Sequence, residues 1–329
     1  MDISRFISTH RKLLFVGFLI LILVFIATLP LYARPSDVRV LTVILIYVVL
    51  AVSWAMFSGT TGYMSLAPAA FFGLGIYTMA LLQDYLPFPV IIFAGGLLSF
   101  ALALLVGLVT LRLRGIYFTI FTFGLVIFMT ELVQFLETRL TGSHGQNITP
   151  IDNATILYTM LVLVVVTVLA IYFIRRSRYG LALVSIGGNE EAAEHMGINT
   201  TSIKVLIFAV SSTFMGAAGV VIAPQLIYVN ANIAFSLFYS FMPILMAIFG
   251  GMGHLSGPII GAVIFGYLEK TLRVQWATYF MLGFGIIMVA VILFLPNGIV
   301  GLVPMLQSKL GGLMARLRKG EQGEQHANT

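Results

Sequence analysis

Apolar residues dominate this chain in runs too long for the interior of a soluble domain. Stretches without Asp, Glu, Lys or Arg cover Leu13 to Ala33, Val40 to Gln83, Tyr85 to Leu111, Asn153 to Ile174, Val205 to Leu268 and Val274 to Ser308. About 20 apolar residues cross a bilayer, so the longest runs hold two or three crossings each. Short alternating segments, the mark of a membrane β-barrel, are absent from the pattern. The expected fold is an all-α polytopic transmembrane bundle of about ten helices. They are placed near 13–33, 40–58, 63–82, 90–111, 115–135, 154–174, 203–226, 236–250, 257–272 and 279–296. The ninth is short and glycine-rich, which leaves a re-entrant segment open. Gly and Pro interrupt the apolar pattern at Gly59 to Pro68 and at Gly250 to Pro258. Such breaks either build transport sites or simply let helices pack closely.

Composition agrees. The chain is 60% hydrophobic and 9% charged, against about 25% charged in soluble domains. Its net charge is +6. The basic residues sit beside apolar runs, which suggests the positive-inside rule rather than nucleic-acid binding. With the N-terminus inside, thirteen Lys and Arg fall on the inner side and five on the outer. Both termini are therefore expected in the cytoplasm. The expected organisation is a cytoplasmic N-terminus at 1–12, a permease domain at 13–302 with a cytoplasmic loop at 175–204, and a cytoplasmic tail at 303–329. The first apolar run is read as an uncleaved helix, since it is too long for a signal-peptide core. There are no cysteines, hence no disulfide or thiol chemistry. The five histidines show no metal-ligand spacing, and no phosphate-binding Gly-x-x-x-x-Gly-Lys-Ser/Thr loop occurs. No enzymatic chemistry, metal or cofactor is expected of this chain.

The one long charged segment, 175–204, lies between apolar runs. Within it Asn189 suits a helix N-cap, and Glu190, Glu191 and Glu194 favour the positive end of a helix dipole. Ala192, Ala193 and Met196 share an apolar face, and Gly197 suits the left-handed residue past a helix end. A helix of two turns is unstable alone and needs a surface, either its own membrane domain or another protein.

The run Glu190 to Asn199 resembles the EAA loop of bacterial ABC importer permeases. Its flanks, Ser177 to Leu183 and Lys204 to Ser211, are similar to those of LivM-type permeases of branched-chain amino acid importers. So are Gly62 to Tyr77, Leu111 to Phe118, Phe249 to Gly253 with Gly257-Pro258, and Pro296 to Gly298. The resemblance spans roughly residues 40 to 302, with the motifs in family order. Departures include Ala67-Pro68 before Ala69-Ala70-Phe71, Ser143 after Thr141-Gly142, His254, and Gly187-Gly188 before the EAA core.

The resemblance implies a multi-pass subunit of the bacterial inner membrane. A second, LivH-like permease would complete the pore, two LivG- and LivF-like ATPases would bind the cytoplasmic loops and the ATP, and a periplasmic binding protein would deliver the ligand. Residues Asn189, Glu190, Glu191, Ala192, Ala193, Met196, Gly197 and Ile198 would form the ATPase-coupling loop. The expected cargo is leucine, isoleucine and valine, with urea, short amides or other amino acids as alternatives. A stand-alone secondary transporter or channel would need its own coupling residues. Candidates for the translocation path are Gly62, Ser65, Pro68, Thr119, Thr122, Glu131 and Gln225. Each has a plainer alternative: Glu131 at the outer end of a helix, Thr119 and Thr122 bonded to their own backbone, Gln225 at a helix terminus. Besides membrane lipid, no other partner and no nucleic acid is expected.

Overall fold

The computed structural model describes residues 23–275, apart from 114, 141, 143 and 144, together with short pieces between 282 and 301. Both expected tails, residues 13–22 of the first expected helix and most of the tenth lie outside the described residues. Between them the chain is helical: α1 (Pro35–Thr61), α2 (Pro68–Leu82), α3 (Phe88–Thr110), α4 (Ile116–Leu140), α5 (Asn153–Arg176), α6 (Arg178–Gly188), α7 (Glu190–His195), α8 (Thr200–Leu226), α9 (Ala231–Ala234), α10 (Phe238–Gly250) and α11 (Ser256–Gln275). A two-residue antiparallel pairing of β1 (Gln146–Asn147) with β2 (Tyr228–Val229) ties the α4–α5 loop to the end of α8. Among the described residues, six apolar stretches are long enough to cross a membrane: α1, α3, α4, α5, α8, and the stretch from Ala231 to Gly250.

Helices α1 and α8 form the centre. Each has 78% of its membrane-length window buried, against 33% for α3 and 28% for α4 and α5. Apolar residues cover every face of the two central helices, as expected of helices enclosed by others. The outer helices instead present large apolar side chains outward, such as Phe93, Leu105, Phe128 and Phe173, which is ordinary for a lipid-facing surface.

Glycine lets the central layer close. A Cβ at Gly75 of α2 would run into the Gly216 carbonyl of α8, and one at Gly219 into the Phe72 carbonyl of α2. A Cβ at Gly95 of α3 would strike the Val220 side chain. This seam of small residues brings α2, α3 and α8 to backbone contact, where dispersion replaces the absent hydrophobic drive between helices in lipid. A second seam, Gly250 and Met246 against Gly257 and Gly261, joins α10 to α11.

The helix expected over 63–82 starts only at Pro68. α1 ends on Gly62, which takes the left-handed conformation at φ 75°, and residues 62–67 are unwound. The second expected break is also present, between α10 and α11. The short, glycine-rich ninth expected helix lies within one uninterrupted helix of 20 residues, α11.

Gly75→Val is expected to lower the melting temperature of the detergent-solubilised subunit, at a cost of roughly 1–3 kcal/mol or more for overpacking. Gly124→Ala, at a position with no neighbouring atom within 4 Å, serves as the control and should leave melting unchanged.

Candidate functional site

Three features converge at one end of the bundle: the α6–α7 segment, a buried lysine and the unwound residues after α1. Ser177 caps α6, its Oγ accepting from the Tyr179 amide at 3.2 Å. Helix α6 buries Gly180, Ala182, Leu183 and Ile186, while Leu181 and Val184 stay exposed. Asn189 then caps α7, its Oδ1 accepting from the Ala192 amide at 3.0 Å. Glu190 and Glu191 fill the first turn, where the helix dipole favours them. The helix closes with the Gly197 amide donating to Glu194 at 2.9 Å and the Ile198 amide to Ala193 at 3.1 Å. Gly197 has φ 84°, the left-handed residue such a closure requires. Asn199 starts α8 in the same way, accepting from the Ser202 amide at 3.1 Å.

The expected apolar face of α7 is divided. Ala193 is completely buried against the bundle, whereas Met196 is 68% exposed and Ala192 is exposed beside it. The helix is therefore anchored on one side and free on the other.

The anchor is electrostatic. Lys204, in the first turns of α8, is 1% exposed. Its Nζ donates to Glu190 Oε1 at 2.5 Å, to the Tyr63 hydroxyl at 3.2 Å and to the Leu111 carbonyl, just past the end of α3, at 3.2 Å. The Tyr63 hydroxyl in turn donates to Glu190 Oε2 at 2.5 Å. Burying an ammonium is costly unless it is paired and hydrogen-bonded; here three acceptors from three elements surround it. Glu190 thus joins α7 to α8, to the end of α3 and to the unwound segment. Lys204 and Tyr63 were missed as site residues in the sequence. A lysine followed by a long apolar run was the available signal.

Four path candidates meet at the unwound segment. The Trp54 indole, about two turns before the end of α1, donates to the Ser65 carbonyl at 2.8 Å. The chain therefore doubles back along α1 before Pro68 opens α2. Thr122 Oγ1 accepts from the Leu66 amide at 3.0 Å, and Thr119 Oγ1 donates to the Met64 carbonyl at 2.8 Å. Ser240 Oγ of α10 donates to the Leu66 carbonyl at 2.8 Å and accepts from the Ala69 amide at 3.0 Å. Ser65 Oγ accepts from the Ala67 amide at 3.3 Å. Gly62, Ser65, Thr119 and Thr122 are therefore neighbours through backbone contacts, and Pro68 begins the helix they position.

Gln225 lies elsewhere, near the other end of α8. It lines a cavity of about 400 Å³ between α1, α2, α8, α10 and α11, and its Nε2 donates to Asn153 Oδ1 at 3.4 Å. Glu131 is exposed on α4 and joins neither group. Two carboxylates absent from the sequence-based candidates are buried instead. Glu137 Oε1 accepts from the Tyr77 hydroxyl at 3.1 Å, and Glu269 Oε1 accepts from Arg273 at 2.6 Å. The spacing of Glu269 and Arg273, four residues apart on one helix, was the legible signal for the second. Among the described residues no group of three or more His, Asp or Glu is placed to hold a metal ion.

Lys204→Met removes the partner of a nearly buried carboxylate. A double-mutant cycle of Lys204→Met with Glu190→Gln, read by thermal melting, should give a coupling energy of about 1–3 kcal/mol. Ser240→Ala leaves the Leu66 carbonyl and the Ala69 amide without this partner and should cost roughly 1–3 kcal/mol in the same assay.

The family described as branched-chain amino acid transport system / permease component matches residues 37–292, from the first turn of α1 through α11 and beyond. The LivM permease protein of the high-affinity branched-chain amino acid transport system of Salmonella typhimurium is 29% identical over 343 residues, covering 93% of this chain and 78% of that protein. Its Escherichia coli counterpart is 28% identical over 340 residues with the same coverage. The BraD permease protein of the high-affinity system of Pseudomonas aeruginosa is 26% identical over 172 residues, covering 50% of this chain and 55% of that protein. A multi-pass helical bundle, a capped helix anchored on one face, and a family match across almost all of the described helices lead to one assignment: the chain belongs to the permease-component family of branched-chain amino acid transport systems.

Proposed function

We propose that this chain is the membrane-spanning permease subunit of an ATP-driven importer of the bacterial inner membrane, carrying leucine, isoleucine and valine into the cytoplasm. It pairs with a second, LivH-like permease and with two LivG- and LivF-like ATPases, and it receives its cargo from a periplasmic binding protein. The observation that carries this reading is the α7 helix: capped at both ends, tied to the bundle through Glu190 and Lys204, and presenting Met196 outward. Exposed Leu181 and Val184 on α6 extend the apolar surface that an ATPase would grip. The inner-side excess of Lys and Arg expected from the sequence, thirteen against five, supports a cytoplasmic position for α6 and α7.

Mechanically, motion of a docked ATPase would pull on α7. Glu190 would pass that displacement to Lys204 at the base of the central helix α8, and to Tyr63 at the start of the unwound segment. That segment is held by side-chain hydroxyls rather than by a continuous helical ladder, so it is the place where the chain can shift at least cost. ATP hydrolysis itself belongs to the partner subunits.

The test is uptake of labelled leucine into proteoliposomes holding the four membrane and ATPase subunits plus the binding protein. ATP-dependent uptake suppressed by unlabelled isoleucine and valine is the expected result. Binding-protein-stimulated ATP hydrolysis without leucine uptake would move the cargo to urea, an amide or another amino acid. Uptake without ATP would remove the importer reading. Met196→Asp and Glu191→Lys should each lower uptake roughly tenfold or more, as for a disrupted interface anchor, while the amount of inserted permease stays unchanged.

A further inference from the structure

The cavity lined by Gln225 has a chemistry that the coupling segment does not explain. It lies at the end of the bundle remote from α7. Helix α1 contributes Arg39, Val43 and Tyr47 to its wall, and α11 contributes Gly266, Glu269 and Arg273. Both sets recur every three or four residues, so each is one stripe of a helix facing the same space. Phe72, Ile222 and Phe238 close the apolar side. Its volume, about 400 Å³, lies in the ordinary range of ligand pockets, roughly 300–1,000 Å³.

Opposite charges face this one apolar space. Glu269 is 5% exposed. Its Oε1 is bonded to Arg273, and the Tyr47 hydroxyl interacts with the same carboxylate. A carboxylate offers about four acceptor positions, so these partners leave room for a further donor. Arg39 is exposed at the cavity and makes no ion pair among the described residues. Lys270, also on the rim, is engaged with Asp37 at 3.8 Å. A guanidinium is suited to bidentate contact with a carboxylate, and a buried carboxylate is suited to an ammonium.

We infer that this cavity is a low-affinity binding site for the zwitterion of an aliphatic amino acid. The ligand carboxylate meets Arg39, its ammonium meets Glu269, and its side chain lies against Val43, Phe72, Ile222 and Phe238. A purely apolar ligand would leave Arg39 without a counter-charge and the remaining acceptor positions of Glu269 unused. An anionic lipid headgroup would suit Arg39 and set its own charge against Glu269. Weak binding fits a site that must release its ligand onward. This inference rests on the amino-acid importer reading above and assigns to that reading a site on this chain.

The test uses the assembled importer in nanodiscs, without nucleotide or binding protein. Saturation-transfer NMR would compare leucine with N-acetylleucine, which lacks the ammonium, and leucinamide, which lacks the carboxylate. Leucine should bind, and each analogue should bind about tenfold more weakly, the equivalent of one modest polar contact. Glu269→Gln should abolish the discrimination against N-acetylleucine alone, and Arg39→Gln the discrimination against leucinamide alone. A merely structural role for either residue would weaken all three ligands together, and that result overturns the inference. So does leucine binding that is unchanged in both variants and in the cavity-filling Val43→Trp. Native mass spectrometry showing an anionic phospholipid that is lost only in Arg39→Gln, with no leucine signal, also overturns it. ATP-driven leucine uptake is measured on the same preparation. Uptake without charge-dependent binding overturns the site alone, whereas absence of uptake overturns the functional reading.

Discussion

A buried backbone must have its N–H and C=O groups paired wherever it leaves the helix, and that constraint governs this structure. Six residues, Gly62 to Ala67, leave the helix at the foot of α1. Their peptide groups are taken up by the Trp54 indole, the Ser58, Thr119, Thr122 and Ser240 hydroxyls and the segment's own Ser65. Those groups come from α1, α4 and α10, so the break can exist only where three elements meet. Without them the segment would have to wind into helix, and α2 would lose its place against α8. The Gly75–Gly216 and Gly219–Phe72 contacts depend on that placement.

The same segment also ends in a charged cluster. Tyr63 shares Glu190 with Lys204, and Lys204 reaches the carbonyl of Leu111. One buried ammonium thus holds the surface helix α7, the central helix α8, the end of α3 and the start of the break. Loss of any one partner would leave the others with an unmatched charge or donor. Such a joint is stiff against small disturbances, and it passes on a displacement of α7 rather than absorbing it. The hydroxyl-held segment beyond it is the softer element, because side-chain bonds can exchange partners where a helical ladder cannot.

Much of this could be read in the sequence, for identifiable reasons. Asn189 and Gly197 act locally: a cap accepts an amide three residues on, and a left-handed glycine ends the turn, so both were legible without tertiary information. The breaks at Gly62 and Gly251 were legible because Gly and Pro interrupt an apolar run. Other features were not. Thr119 and Thr122 read equally well as threonines bonded to their own helix; Thr122 does donate to the Thr119 carbonyl of its own helix, and only the fold shows that it also accepts from the Leu66 amide and that Thr119 serves the Met64 carbonyl. Glu131 stood out as a charge within a helix, yet it is exposed. The buried carboxylates are Glu137 and Glu269, because which side of a helix faces inward depends on its neighbours. The family match then supplied what geometry alone leaves open, namely the class of transport system to which such a bundle belongs.

By itself the sequence determined the length and apolarity of the helices, their caps, their breaks and the position of the charged segment. These follow from periodicity, propensity and the cost of unpaired polar groups in lipid, all of which act over a few residues. The tertiary structure alone decided that Lys204 meets Glu190 and Tyr63, that Ser240 supports Leu66, and that Arg39 and Glu269 face one cavity. Those pairs are separated by as much as 230 positions along the chain, and no local rule links them. They are set by which helices pack side by side, and that is fixed by the shapes of glycine-lined surfaces that form only when the helices come together.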